Sequence, residues 1–288
     1  MLRTLIIEGN SKNNQTIDGN GQVLEGNDCL CVKSIQDKNK NWLVPENITI
    51  KNFVIKGGSV RIIGLGINGE GELVRESSKN ENHTKYAQSV APKNIVFDNL
   101  KIEANVRTPF YVAPGCTNIT LQNSELTGHT ESVSIYLCCE SANNTIQNNI
   151  IKTKTKREAI AVDGSAYNTI QNNTFEFLNF GGIYLYRNLG EGGTIRHQTP
   201  SFNKIVNNTF KYDDSIKTKL NQLAYPAIWL GSRSGIIKYF YMAGSKFKNR
   251  DTSKPFGSSA NPNDLASNNI VKGNGPKDIL IRDWQVKS

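Results

Sequence analysis

The sequence predicts an all-β chain wound into a single parallel β-solenoid, with long loops inserted at its turns. Three observations carry that prediction. A short asparagine-rich segment recurs along the chain, a second β-rich segment follows its copies, and helical periodicity is scarce throughout. The 288 residues are read as one domain, 1–288.

The first segment reads NITIKNFVI (47–55), NIVFDNLKI (94–102), NITLQNSEL (118–126), NTIQNNII (144–151), NTIQNNTF (168–175) and NKIVNNTF (203–210). The copies align on Ile50, Phe97, Leu121, Ile146, Ile170 and Ile205, and the last four intervals are 24, 25, 24 and 35 residues. Two positions later every copy has asparagine: Asn52, Asn99, Asn123, Asn148, Asn172 and Asn207. Five positions later every copy is apolar: Ile55, Ile102, Leu126, Ile151, Phe175 and Phe210. The second segment reads FYVAPG (110–115), SIYLCCE (134–140), AIAVDGS (159–165), GIYLYRN (182–188) and AIWLGSR (227–233), with VRIIGLG (60–66) joining it. Each is short, β-prone and bounded by glycine or polar turns.

A unit of this size made of strands and turns cannot bury its own apolar face, whereas stacked units can. Like residues then pile up at the ~4.8 Å strand spacing. Aliphatic columns fill the interior. Asparagine columns bond along the axis through their amides and satisfy the turn backbone. The asparagines therefore have a structural task, which also outweighs reading triplets such as Asn47–Thr49 as glycosylation sites.

The stretch TIDGNGQVLEG (16–26), followed by N-x-I-x-x-N repeats, resembles the right-handed parallel β-helix, or pectin-lyase-like, superfamily over nearly the whole chain. That resemblance implies a right-handed coil. The superfamily includes polysaccharide lyases, glycoside hydrolases, uronate epimerases, phage tailspikes and non-catalytic surface proteins. No catalytic signature of pectate lyases, polygalacturonases or alginate epimerases is matched, so no family catalytic residue carries over.

Composition narrows the partners. Lysine and arginine (34) exceed aspartate and glutamate (25), a net +9 that favours polyanions. Nucleic acid is not expected, for want of a recognised motif. No apolar run is long enough to span a bilayer. The start lacks a secretory signal, and the strand-like Leu5–Ile7 points to a truncated or processed form. The expected location is secreted, cell-surface or phage-associated. Cys29, Cys31, Cys116, Cys138 and Cys139 are an odd set without metal spacing, read as buried or free thiols. No cofactor or metal is expected.

Alternation along the second segment places the candidate site. Ile135, Ile160, Ile183 and Ile228 face the core, as do the residues two later, so the residues between face out. These are Tyr136, Ala161, Tyr184 and Trp229. The next outward row holds Cys138, Asp163 and Tyr186, and the one after it Glu140, Asn188 and Arg233. Arg157 lies on the same face upstream. Insertions at 67–93, 188–202 and 232–267 leave one corner and wall a groove over exposed aromatics, with 211–226 at another corner. Within 188–202, Glu191, Arg196 and His197 return toward the next unit, and Arg187 closes the strand before it.

Aromatic faces suit sugar rings, and acids and guanidinium forks suit hydroxyls and carboxylates. Tyr136, Arg157, Tyr184, Glu191, Arg196, Trp229 and Arg233 are therefore assigned to substrate binding, and Asp163, Glu140, Tyr186, His197 and Arg187 to catalysis. In β-elimination, Arg157, Arg187 or Arg196 neutralises a uronate while His197 or Tyr186 exchanges protons. In hydrolysis, Glu140 and Asp163, with Cα atoms roughly 8 Å apart by strand geometry, serve as the carboxylate pair. The expected function is binding and cleavage of a polysaccharide, as lyase or glycoside hydrolase, by a monomer or homotrimer. The rival is a non-catalytic carbohydrate-binding or adhesin-like solenoid.

Overall fold

A computed structural model describes residues 4–66, 71–188, 194–213, 225–230, 265–272 and 280–282. Three parallel sheets run along the axis, of nine, eight and eight strands among the described residues. Sheet A includes Val60–Ile63, Phe110–Val112, Ile135–Leu137, Ile160–Asp163, Ile183–Tyr186 and Ile228–Leu230. Each coil continues into sheet B, as at Glu46–Lys51, and then sheet C, as at Val54–Lys56. The chain is a right-handed parallel β-helix.

The aligned columns are the strand register. Ile50, Phe97, Leu121, Ile146, Ile170 and Ile205 pair in sequence across sheet B. Ile55, Ile102, Leu126, Ile151, Phe175 and Phe210 pair across sheet C. Both columns are buried and join those of sheet A in one core. The asparagine between them explains why one sequence segment yields two strands. Asn52, Asn99, Asn123, Asn148, Asn172 and Asn207 all sit at φ 52–59°, the left-handed turn that asparagine tolerates.

A second asparagine ladder lies inside. Asn149, Asn173, Asn208 and Asn269 are linked amide to amide, and Asn173 also donates to the Ile146 carbonyl at 2.8 Å. Asn149 and Asn173 each close the turn below by accepting a backbone N–H, that of Ser124 and that of Asn149. Asn149, Asn173 and Asn208 are buried, so the ladder supplies the partners their polar groups need.

The 67–93 insertion differs from a plain loop. It contains two helices, α1 (Glu72–Ser78) and α2 (His83–Val90), whose buried Val74, Ala87 and Val90 pack with Leu65. Helix α2 lies directly on the coil. A Cβ on Gly115 (φ +81°) would come within 2.4 Å of the Ala87 carbonyl oxygen, and one on Gly64 within 2.4 Å of the Ala91 Cβ. The five cysteines are free and buried, as their odd number and lack of metal spacing predict.

Candidate functional site

The outward column of sheet A is Arg61, Tyr111, Tyr136, Ala161, Tyr184 and Trp229, each paired with the next. Its direction is as alternation predicts; its exposure is not. Tyr184 and Tyr186 are buried, forming a second apolar layer with Val133 and Ala161, against which Tyr136 and Trp229 pack. Tyr184 and Trp229 meet edge to face at 5.7 Å. Arg61, Tyr111, Tyr136 and Trp229 are half-buried. Tyr111 and Tyr136 stack at 5.3 Å, and the Arg61 guanidinium, ion-paired with Asp28 at 3.3 Å, sits 4.9 Å from the Tyr111 ring centroid. Tyr111 and Arg61 lie in the second-segment copies one and two rungs before Tyr136, where the outward row read from the sequence begins.

Two polar networks flank this layer. Tyr136 donates its phenol to Asp163, which also accepts the Asn188 backbone N–H at 2.8 Å and side-chain amide at 2.7 Å. Tyr186 donates to Glu158 at 2.8 Å and accepts from Arg157 at 2.7 Å, and Arg157 also pairs with Glu158 at 2.9 Å. Burial first, then the neighbouring carboxylate, raises the pKa of Tyr136 and of Tyr186 well above the usual phenol value. Both phenols are therefore proton donors at neutral pH.

The carboxylates expected to act as a pair have no hydrogen-bond partner in common. Asp163 serves Tyr136 and Asn188. Glu140, at φ +62° in the A-to-B turn, points to the insertions instead. Its carboxylate accepts Thr84 Oγ1, the His197 backbone N–H at 2.8 Å and the Gln198 N–H at 3.2 Å, while Gln88 donates to its carbonyl at 2.9 Å. Both carboxylates are fully buried. A hydrolytic pair needs a sugar between its acids, and each acid here is committed to its own network.

Around Glu140 the 67–93 and 188–202 insertions meet. Ile195 N–H donates to Ser78 Oγ at 2.9 Å, and His197 Nε2 lies 2.7 Å from the Ser78 carbonyl oxygen. Arg187, buried, donates to the carbonyls of Arg196 and His197 at 3.5 Å. The described parts of these two insertions thus meet each other. The His197 ring stands 5.4 Å from that of His83, centroid to centroid. Burial lowers the pKa of His83, so its imidazole is neutral. His83 and Thr84 were not predicted; the signal was the apolar spacing of His83, Ala87 and Val90 along α2.

Arg196 is buried with Nη1 3.7 Å from Cys138 Sγ, and Cys139 Sγ lies 3.7 Å from Cys138 Sγ. Burial pushes the Cys138 thiol up, but the Cys139 thiol, the Arg196 guanidinium and Tyr111 outweigh it and bring the pKa down to about 7. Glu191, Arg233 and nearly all of the 232–267 insertion lie outside the described residues. Among the described residues no helix is long and apolar enough to cross a membrane.

A family model described as "Periplasmic copper-binding protein (NosD)" matches residues 44–244. No curated protein matches the chain. Among solved structures, PfbA, a surface adhesin of Streptococcus pneumoniae, aligns at 15% identity and TM-score 0.49, covering 99% of this chain and 69% of its own. The Azotobacter vinelandii mannuronan C-5 epimerase AlgE4 A-module aligns at 9% identity and TM-score 0.24, covering 95% and 88%. Likenesses of that degree carry no argument about activity.

Proposed function

This chain belongs to the NosD family, described as periplasmic copper-binding protein, and from that premise we propose an extracytoplasmic binding protein that engages an acidic polysaccharide on sheet A. The observation that supports this reading is the Tyr111–Tyr136 stack with Arg61 over Tyr111. A uronate ring has an apolar C–H face for the tyrosines and a carboxylate for a guanidinium fork. Arg157, only part-buried, offers a second guanidinium, and the net +9 charge draws a polyanion to the surface.

The test is calorimetric titration with a panel of polyuronates and neutral glucans. Polyuronate binding that weakens in salt, and that Tyr111→Ala and Arg61→Ala each reduce, is the expected result. No polyuronate binding, or binding indifferent to both variants, rejects the reading. Cleavage is a second reading, favoured by the Tyr136 phenol within the stack, whose proton Asp163 accepts, a phenol–carboxylate pair of the kind that exchanges protons in general acid–base chemistry. Unsaturated uronate ends, read by ultraviolet absorbance, would establish elimination; binding without new chain ends favours an adhesin-like role.

The metal in the family's description meets a restricted donor set. Among the described residues no group of three or more His, Cys, Asp or Glu side chains is placed to share an ion. A three- or four-donor cupric site does not fit them.

A further inference from the structure

We propose that Arg61 and Arg107, drawn together by Asp28 on the C-to-A turn, form the subsite that takes the carboxylate of one uronate residue. The inference rests on the polysaccharide reading and deepens it. It names the group of the polymer that is read, and it assigns Arg107 and Asp28 opposite effects on affinity.

Adjacent coils bring these residues together. Asp28 precedes the sheet A strand Leu30–Lys33, Ser59 precedes Val60–Ile63 and Arg107 precedes Phe110–Val112. Leu30 pairs with Val60 and Val60 with Phe110, so all three sit side by side at the entry to sheet A. One carboxylate oxygen, Asp28 Oδ1, collects the two guanidiniums. Arg107 Nη1 donates to it at 2.8 Å and Arg61 Nε at 3.3 Å, with Ser59 Oγ 3.0 Å away. Burial works to raise the Asp28 pKa, but Ser59 and the two guanidiniums outweigh it and hold it below the ordinary 3.8. The carboxylate is therefore charged at neutral pH.

The cluster has donors to spare. Asp28 engages one nitrogen of each guanidinium, and among the described residues the only other acceptor is Ser59 Oγ, 3.2 Å from the same Arg61 Nε. Each planar fork therefore keeps N–H groups for a ligand. Arg61 is preset by its contacts with Asp28, Ser59 and the Tyr111 ring, and its side chain is 14% exposed. The side chains of Arg107 and Asp28 are 46% and 48% exposed, so the subsite is open to solvent on their side.

Charge and shape select the ligand. Two guanidiniums around one carboxylate leave one positive charge unmatched. The seat already accepts a planar carboxylate, and a second one, carried by a uronate, meets the remaining N–H pairs in the bidentate geometry that guanidinium favours. Lys156 is the contrast. It lies on a later C-to-A turn and is matched one to one by Glu131, which leaves no charge over for a ligand. Asp28 holds the two arginines together and at the same time repels the incoming anion, so it keeps affinity below what the guanidiniums alone would give.

The experiment is calorimetric titration of the whole chain with polygalacturonate, its methyl ester and a sulfated neutral glucan. The free acid should bind, and the other two should bind at least about tenfold more weakly, because each lacks the charge-assisted fork to a carboxylate. Arg107→Ala should weaken polygalacturonate binding about tenfold or more, and Arg107→Lys, which keeps the charge without the fork, should not restore it. Lys156→Ala removes one paired surface charge and should change binding by less than about threefold. Asp28→Asn should tighten it. The three substituted side chains are exposed, so the variants keep the fold. No polyuronate binding by the parent defeats the polysaccharide reading and this inference together. Binding that Tyr111→Ala reduces, but that Arg107→Ala or Asp28→Asn leaves unchanged, defeats this inference alone. So do weaker binding in Asp28→Asn, parent-like binding in Arg107→Lys, equal losses in Arg107→Ala and Lys156→Ala, or equal affinity for the methyl ester or the sulfated glucan.

Discussion

Tyr167 and Phe202 stack with ring centroids 5.0 Å apart and planes within 2° of parallel, at φ +59° and +58°, on the outside of the A-to-B turn. They occupy the column that Asn47, Asn94 and Asn118 fill in earlier coils, where Asn94 donates its amide to Asn47, and Asn118 to Asn94, at 3.0 Å. Left-handed backbone suits asparagine and strains an aromatic residue, at about 1–3 kcal/mol each. Stacking returns about 0.5–1.5 kcal/mol for the pair. The double variant Tyr167→Asn/Phe202→Asn should therefore be at least as stable as the parent. A double-mutant cycle in urea should still show a coupling near 1 kcal/mol for the aromatic pair.

The two asparagine columns of the B-to-C turn should respond oppositely to substitution. Asn172, at φ +56° and exposed, has a conformational role, so Asn172→Gly should change stability by no more than about 0.5 kcal/mol. Asn173 is buried; its Oδ1 accepts from Asn149, and its Nδ2 donates to Asn208 and Ile146. Asn173→Ala orphans several of these groups at about 1–3 kcal/mol for each left unmet. A loss above about 3 kcal/mol in urea titration is expected, and a loss as small as that of Asn172→Gly would contradict the ladder's role.

These two neighbours show what was legible in the sequence. Stacking of like residues writes the register directly into the chain, so Ile50 to Ile205 and Ile135 to Ile228 could be aligned by eye. The alignment did not tell Asn172 from Asn173, because facing depends on where the chain turns left-handed. Alternation likewise gave the direction of Tyr184 but not its burial in a second apolar layer with Val133 and Ala161. Glu140 was legible as an outward acid, yet its partners Thr84, His197 and Gln198 lie 56 to 58 residues away on insertions that follow no repeat. The convergence of His83 and His197 is hidden for the same reason.

Cys138 should titrate in a window of its own. Burial works against ionisation, while Cys139, Arg196 and Tyr111 bring its pKa from the ordinary 9.0 to about 7. Burial pushes Cys29 and Cys31 up to about 11, leaving them silent in that range. A depressed folded-state pKa gives stability that is full above the unfolded value and lost as pH falls through the folded one. Stability should therefore rise between about pH 7 and 9, and this rise should vanish in Cys138→Ser. Thiolate ultraviolet absorbance should show a step near pH 7 that Arg196→Met moves upward. A step that stays put would remove the guanidinium from the account.

Gly115 is the point on which the position of α2, and with it the Glu140 corner, depends. Gly115 and Gly21 share φ +81°, but nothing stands within 4 Å of a Cβ on Gly21, whereas a Cβ on Gly115 meets the Ala87 carbonyl oxygen at 2.4 Å. Alanine at either position incurs the same backbone strain, of order 1–3 kcal/mol. Only Gly115→Ala must also move backbone, because the obstructing atoms belong to the helix itself, at a further cost of about 1–3 kcal/mol. The difference between the two variants in urea titration therefore isolates the contact from the conformation. Gly115→Ala should also speed amide exchange across His83–Val90, because α2 carries Thr84 and Gln88 onto Glu140. Gly21→Ala should not. Equal losses in the two variants, with α2 equally protected, would mean that the helix does not depend on this approach to hold its place over the site.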